Sequence, residues 1–368
     1  MNKKVLVVAS TMEHIENFHM PYIEGLKKNG IEVFVMATGK GHSGIEPDFD
    51  IPFQKKISSF KNFKLVSKIK KILKNNNFDV IILNTTLAAF FVRLAVKKLN
   101  VKPKVINIAH GYLFSKQTGK LKTFMMLSAE KFVKKVTDEI LVMNNEDFEI
   151  ANKNKLCKGE IYKINGMGIN GDNRVLNSKD NAKSKSNDDK VKFTFIGELS
   201  GRKNQNFLIE FIDKLSKSGV NAYLDLVGTG SKEQEFKELA NSLGVSERIN
   251  FVGYDKNIMK YLLTTDYYIS ASKIEGLPFN ILEAMAAGCV VISANVKGCN
   301  DLIINEESGI LYEFNNMENL LMQFNKIHSN EKLKEKIRKN AVKYAQKYEL
   351  NSVYDDNMRI LTKLINEK

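Results

Sequence analysis

The sequence predicts an α/β protein made of two similar halves, each a parallel sheet layered with helices. Short runs of Val, Ile and Leu alternate with helix-length stretches, the alternation stops at a polar segment, and it restarts beyond it. Strand–helix alternation of this kind indicates parallel β/α layers. With 368 residues, 43% of them apolar, the chain is long for one core and can fill two. Glycines and small polar residues close the apolar runs, at the strand ends where such sheets bind ligands.

In order, Val5–Ala9 is a run of small and β-branched apolar residues, a buried first strand. Asn17–Lys28 reads as a helix, Glu32–Met36 as a strand and Asn62–Lys74 as a helix. Strand Val80–Leu83, helix Leu87–Lys98, strand Lys104–Ile108, helix Leu121–Lys135 and strand Glu139–Met143 follow. Asn177–Lys190 holds only Ser, Lys, Asp, Asn and one Ala; it cannot bury a face and reads as a solvated linker. Beyond it come strand Lys192–Ile196, helix Asn204–Ser216, strand Tyr223–Val227 and helix Lys232–Leu243. Strands Asn250–Val252, Tyr267–Ser270 and Val290–Ser293 complete the second half, before amphipathic helices Asn330–Lys347 and Asn351–Lys368. The expected domains are 1–172 and 191–350, with a polar linker at 173–190.

Lys3 and Lys4 precede too short an apolar run for a secretory signal, and no run approaches the roughly 18 residues of a membrane span. Three cysteines without metal-site spacing point to a reduced, cytoplasmic compartment. The net charge of +14 is uneven: Met1–Asp172 carries 28 Lys and Arg against 16 Asp and Glu, whereas the remainder is nearly neutral. Helix Lys61–Lys74 and the stretch Lys116–Lys135 each carry six lysines among apolar residues. An anionic membrane surface is the partner such faces would take. Nucleic acid is not expected, since no helix-turn-helix, finger or ribonucleoprotein motif is present.

The most informative segment sets Glu275 and Glu283 on either side of a Gly276-Leu277-Pro278 turn. Pro278 suits the first turn of a helix, where its missing N–H would have no partner. Phe279–Ala287 is helix-compatible, and Gly288 stops the run. A helix N-terminus offers unpaired N–H groups and partial positive charge, a site for phosphate. Glu275 precedes that terminus and Glu283 lies more than a turn inside it, so a ligand with a phosphate in its middle reaches both. A sugar nucleotide has that shape.

In its context, E-G-x-P-x-x-x-x-E-A-M-A-x-G ahead of a β-type run, the segment resembles the E-x7-E signature of retaining glycosyltransferases of family 4, which have the GT-B fold. The resemblance implies two Rossmann-like domains facing each other across a cleft. The second would hold the nucleotide sugar and the first the acceptor, with a last helix at about 351–368 crossing back onto the first. It places Glu275 on the donor sugar and Glu283 on the ribose hydroxyls, with Gly276, Leu277 and Pro278 lining the donor site. The stretch from Gly197 to Lys203 resembles the family's phosphate-binding Gly-x-Leu…Lys segment. Many members carry arginine where this chain has Glu198, so Arg202 and Lys203 are expected to face the diphosphate. Gly228, Gly253 and Tyr254 would flank the nucleotide base. The loop Asn295–Asp301 resembles the glycine-containing segment that follows the signature.

His110 closes a strand where many family members place a histidine against the donor sugar, and with Glu275 it is the expected catalytic pair. His14 and His19 lie in His-Ile-x-x-Phe-His-x-Pro, which resembles the subset encoded with capsule and exopolysaccharide genes, and are expected to contact the acceptor. The implied reaction is retaining transfer of a hexosyl or N-acetylhexosaminyl group from a UDP-linked sugar to a saccharide or lipid-diphosphate-linked saccharide. It would occur at the cytoplasmic face of the membrane, with no metal and no other cofactor. Asp48-Phe49-Asp50 spells a D-x-D, but it lies between prolines, remote in sequence from the phosphate features, and reads as surface. Two alternatives stand beside this reading. A UDP-sugar 2-epimerase of the same fold would need acid/base carboxylates and no acceptor. A non-catalytic scaffold binding lipid or glycan would survive loss of Glu275 and Glu283.

Overall fold

The computed structural model describes residues 3–54, 59–169 and 189–367. Of the linker expected at 173–190, residues 173–188 lie outside the described residues. The chain divides into two compact units, Met1–Gly168 with Asn351–Lys368, and Ile169–Leu350.

The first unit is built on β1 (Lys4–Val8), β2 (Glu32–Ala37), β3 (Phe49–Asp50), β4 (Val80–Asn84), β5 (Lys104–Ala109), β6 (Glu139–Val142) and β7 (Ile161–Lys163). They form one sheet in the order β3-β2-β1-β4-β5-β6-β7, with every pairing parallel. Val5 on β1 sits in register with Val33 on one side and Val80 on the other. The chain therefore winds outward in both directions from β1, and the strand ends beside this switch are where an α/β sheet takes its ligand. Leu6, Val8, Ile81 and Leu83 pack into a core with Val66, Ile69 and Phe91 from the helices Phe60–Asn76 and Thr86–Val96. Within it, Arg93 donates to both carboxylate oxygens of Glu130, at 2.8 and 3.0 Å, tying helix Lys120–Val133 to helix Thr86–Val96.

The helix expected across Asn17–Lys28 begins only at Met20 and runs Met20–Lys28, and a separate helix, Met12–Phe18, precedes it where none was expected. Pro21 stands in the first turn of the Met20–Lys28 helix and has no N–H to carry the preceding helix onward, and His19 between them takes non-helical backbone angles. The last helix, Leu350–Asn366, packs mostly within the first unit. Asn357 Nδ2 donates to Tyr22 Oη at 3.0 Å and to the Gly166 carbonyl at 2.8 Å. Gly25 permits the crossing, since a Cβ there would lie 2.2 Å from Tyr354 Oη.

The second unit carries β8 (Val191–Ile196), β9 (Ala222–Val227), β10 (Ile249–Gly253), β11 (Tyr267–Ser270), β12 (Val290–Ala294) and β13 (Ile310–Tyr312). Their order is β10-β9-β8-β11-β12-β13, again all parallel. An aromatic cluster of Phe193, Phe211, Tyr267 and Phe324 fills its core, with ring centres 5.3–5.8 Å apart. Among the described residues, no helix is long and apolar enough to cross a membrane.

Candidate active site

The paired glutamates flank a short helix that follows β11. Pro278 caps it with extended backbone, and the helix runs Phe279–Ala286. Its start is fastened to the end of β8, where Asn280 Nδ2 donates to the Ile196 carbonyl at 2.7 Å. Gly288 ends it with a positive φ of 69°, a conformation glycine adopts without steric cost.

Glu275 is buried at 9% exposure and is met by both cations of the preceding phosphate-type loop. Lys203 Nζ donates to Oε1 at 2.6 Å and Arg202 Nη1 to Oε2 at 3.3 Å. Burial alone would raise this carboxyl. The Lys203 ammonium and the Arg202 guanidinium outweigh it and hold Glu275 below its ordinary value. The cations are set by a tight turn. Asn204 sits at a φ of +62°, and Gln205 accepts from the Ser200 N–H and donates to the Glu198 carbonyl. The Lys273 N–H donates to the Arg202 carbonyl at 2.9 Å, joining this turn to the signature loop.

Glu283, on the helix, is half-buried. Burial pushes its carboxyl up to about 7. The two glutamates thus differ in kind: one is held ionised by cations, the other balanced between its two forms at neutral pH.

Around them the backbone comes unusually close. A Cβ on Gly228 would lie 2.1 Å from the Gly197 carbonyl oxygen, and one on Gly230 would lie 2.0 Å from that of Leu199. The Gly228 N–H donates to the Gly253 carbonyl at 2.8 Å, so the ends of β8, β9 and β10 form one glycine-lined rim. Tyr254 follows that rim and is 62% exposed, Leu277 is buried, and Glu198 is exposed. Two residues of the Asn295–Asp301 loop complete the surroundings of Glu275: the buried Lys297, whose carbonyl accepts the Glu275 N–H, and Gly298, whose added Cβ would lie 2.9 Å from the Glu275 carbonyl oxygen. Their place in a Lys-Gly pair after β12 was the available signal; the contact itself has no signature in the sequence.

In the first unit, His110 follows β5, and beyond β1 His14 lies in helix Met12–Phe18 and His19 at the break after it. The three rings meet. His14 and His110 are edge to face with centres 4.7 Å apart, and His19 and His110 likewise at 5.1 Å. His110 Nε2 is buried with no hydrogen-bond partner among the described residues. Burial lowers all three imidazoles, His14 to about 4 and the other two well below their ordinary value, so they are neutral at physiological pH. The D-x-D carboxylates serve the backbone: Asp48 accepts from the Val35 N–H at 2.7 Å and Asp50 from the Gly39 N–H at 3.1 Å.

Comparison with known proteins agrees with this architecture. Residues 177–344 match the family Glycosyl transferases group 1, and residues 4–144 match Glycosyl transferase 4-like. EpsD of Bacillus subtilis (strain 168), assigned as a glycosyltransferase, is 26% identical over 99% of each chain. An Escherichia coli UDP-Gal:α-D-GlcNAc-diphosphoundecaprenol α-1,3-galactosyltransferase is 26% identical over 72% of this chain and 70% of its own. The structure of Anabaena HepE in complex with UDP and glucose superposes with a TM-score of 0.72 at 16% identity, covering 98% of this chain and all of that one. With its two parallel sheets, its paired glutamates and these matches along most of its length, the chain belongs to the GT-B glycosyltransferases of the family 4 type.

Proposed function

We propose that this glycosyltransferase of polysaccharide synthesis moves a hexosyl or N-acetylhexosaminyl group from a UDP-sugar, with retention, to a saccharide or lipid-diphosphate-linked saccharide. The observation that carries the reading is the contact of Lys203 and Arg202 with Glu275 at the mouth of the Phe279–Ala286 helix. A departing diphosphate needs positioned cations and N–H groups where its charge grows, and this cluster supplies both without a metal. Glu283 takes the ribose hydroxyls, Glu275 and His110 the donor sugar, and Gly197, Gly228, Gly253 and Tyr254 the nucleotide. His14 and His19 belong to the acceptor side. Retention without a protein nucleophile proceeds on one face of the sugar: the acceptor oxygen bonds to the anomeric carbon as the bond to phosphate breaks, and the acceptor's proton passes to the departing phosphate. The names of the Escherichia coli galactosyltransferase, with UDP-Gal and a diphosphoundecaprenol-linked sugar, and of the UDP–glucose complex support the donor and acceptor classes.

The test is thermal unfolding with UDP, GDP, ADP or no ligand, with and without Mg²⁺, on the wild type and Glu283→Ala. A ligand that binds only the folded state raises its stability with concentration over affinity. A Mg²⁺-independent shift with UDP, lost in the variant, is the expected result. No shift with any nucleotide at millimolar concentration would move the reading to the non-catalytic scaffold. Product from a UDP-sugar with no acceptor present would move it to the epimerase.

A specific observation favours peripheral attachment as well. Leu121, Phe124 and Met125 share one face of the lysine-rich helix Lys120–Val133 and are exposed at 75, 69 and 58%. An apolar stripe flanked by lysines fits an anionic lipid surface.

A further inference from the structure

Among the described residues, one group of three histidine, cysteine or carboxylate side chains brings its ligand atoms within 4.8 Å of one another: His14, His19 and His110. We propose that these three histidines form a binding site for a borderline divalent cation, Zn²⁺ first among them.

The geometry has two independent parts. Zinc–nitrogen bonds of about 2.0–2.1 Å at tetrahedral angles separate ligand nitrogens by about 3.4 Å and imidazole centres by about 5.2 Å. His14 Nε2 and His19 Nε2 lie 3.4 Å apart, and the three ring-centre distances are 4.7, 5.1 and 5.3 Å. The arrangement is poor as a hydrogen-bond network. At 3.4 Å the His14–His19 contact is long, and His110 Nε2 is buried without a hydrogen bond. A shared cation, drawing in ligand atoms that already lie within 4.8 Å of one another, would give each ring a partner.

The donor set selects the metal. Mg²⁺, Mn²⁺ and Ca²⁺ prefer oxygen ligands, whereas imidazole suits Zn²⁺ and its neighbours. This site is therefore not a diphosphate-metal site, and metal-free handling of the donor stands apart from it. Three imidazoles leave a fourth tetrahedral position for water or a ligand oxygen. One consequence rests on the transferase reading: a cation held by His110 takes the ring that reading places on the donor sugar, so bound Zn²⁺ slows transfer reversibly.

The experiment uses the full chain with any purification tag removed and metal stripped by a chelator. Co²⁺ is titrated in, its visible absorption recorded, and Zn²⁺ added to displace it. The same titration is made on His14→Asn and His110→Asn, whose folding is checked by thermal unfolding in chelator. The expected result is one equivalent of Co²⁺ with the intense bands of a four-coordinate site, displaced by Zn²⁺, and at least a tenfold loss of affinity in each folded variant. His14 is only half-buried, so its variant decides if the other does not fold. No stoichiometric binding, weak six-coordinate spectra, or affinity unchanged in a folded variant would overturn the site. None of these readouts depends on transfer, so failure here leaves the transferase reading standing, and absence of UDP binding leaves the metal site standing.

Discussion

Lys203 and Arg202 hold the same carboxylate from environments that differ in burial. The Lys203 side chain is 10% exposed where it meets Glu275, and the Arg202 side chain is 41% exposed. Removing one partner of a buried pair costs about 3–5 kcal/mol, because an uncompensated charge stays behind. Here Arg202 remains to screen Glu275, so Lys203→Met is expected to cost about 2–4 kcal/mol. Arg202→Ala breaks a more exposed pair and is expected to cost less than about 1 kcal/mol. Both variants should weaken UDP binding at least tenfold. Urea unfolding and UDP titration check this; equal stability losses would mean that Glu275 does not lean on Lys203.

Glu283 makes the opposite prediction for stability. Its carboxyl rises from 4.5 to about 7 because burial disfavours the charged form. The unfolded chain thus ionises first as pH rises, and holding a buried carboxylate becomes a cost to the fold, complete above about pH 7. Glu283→Gln should therefore leave stability unchanged below about pH 4 and raise it by about 1–3 kcal/mol at pH 8. The same variant should bind UDP more weakly. Wild-type affinity should rise with pH through about 7, as the carboxylate becomes a full acceptor for ribose hydroxyls. Urea unfolding and calorimetry across that range test both; a variant less stable at pH 8 would reveal stabilising partners for the carboxylate.

Gly298 connects the loop after β12 to the peptide that carries Glu275. Its φ is +82°, and a Cβ there would lie 2.6 Å from the Gly276 carbonyl oxygen and 2.9 Å from that of Glu275. Gly298→Ala can be accommodated only by moving the peptide that carries Glu275. Gly244→Ala is the control, since Gly244 has a φ of +71° but nothing within 4 Å of its added Cβ. Both should lose about 1–2 kcal/mol to backbone strain. Gly298→Ala alone should also weaken UDP binding. Matched unfolding and titration on the two variants separate strain from displacement, and equal UDP affinities would remove Gly298 from the site.

The inner strands were legible because each is a short, largely buried run rich in β-branched, aromatic and other apolar residues, from Lys4–Val8 and Val80–Asn84 to Val191–Ile196 and Val290–Ala294. β3, β7 and β13 were missed; at two or three residues they are too short to show any period. The start at Met20 was signalled by Pro21, which suits a helix's first turn, whereas Met12–Phe18, at seven residues, is too short to show a clear period and went unread. Within the site, Glu275 and Glu283 could be found because a turn and one helix fix their relation locally. The Lys203–Glu275 pair spans 72 residues and arises from adjacent ends of β8 and β11, which no local spacing records. The meeting of His14, His19 and His110 is of the same kind: β1 and β5 both flank β4, so loops about 95 residues apart converge at one end of the sheet.

The helix Lys120–Val133 separates two uses of lysine. A merely solvated face would scatter its apolar residues, whereas Leu121, Phe124 and Met125 recur at helical spacing and are all exposed. Lys116, Lys120 and Lys122 lie beside them and are exposed too. Binding to lipid should therefore have two separable parts, an apolar one from the stripe and an electrostatic one worth about 1 kcal/mol per lysine near the surface. Leu121→Gln/Phe124→Gln changes no charge and no residue of the Arg93–Glu130 pair, so stability should hold while binding to phosphatidylglycerol-containing vesicles drops at least fivefold. Lys120→Gln/Lys122→Gln should cut the same binding and flatten its salt dependence, because fewer lipid charges are then neutralised. Cosedimentation with vesicles of graded phosphatidylglycerol content, at two salt concentrations, reads both. Equal binding to neutral and anionic vesicles, or no effect of the apolar pair, would leave the stripe as ordinary surface.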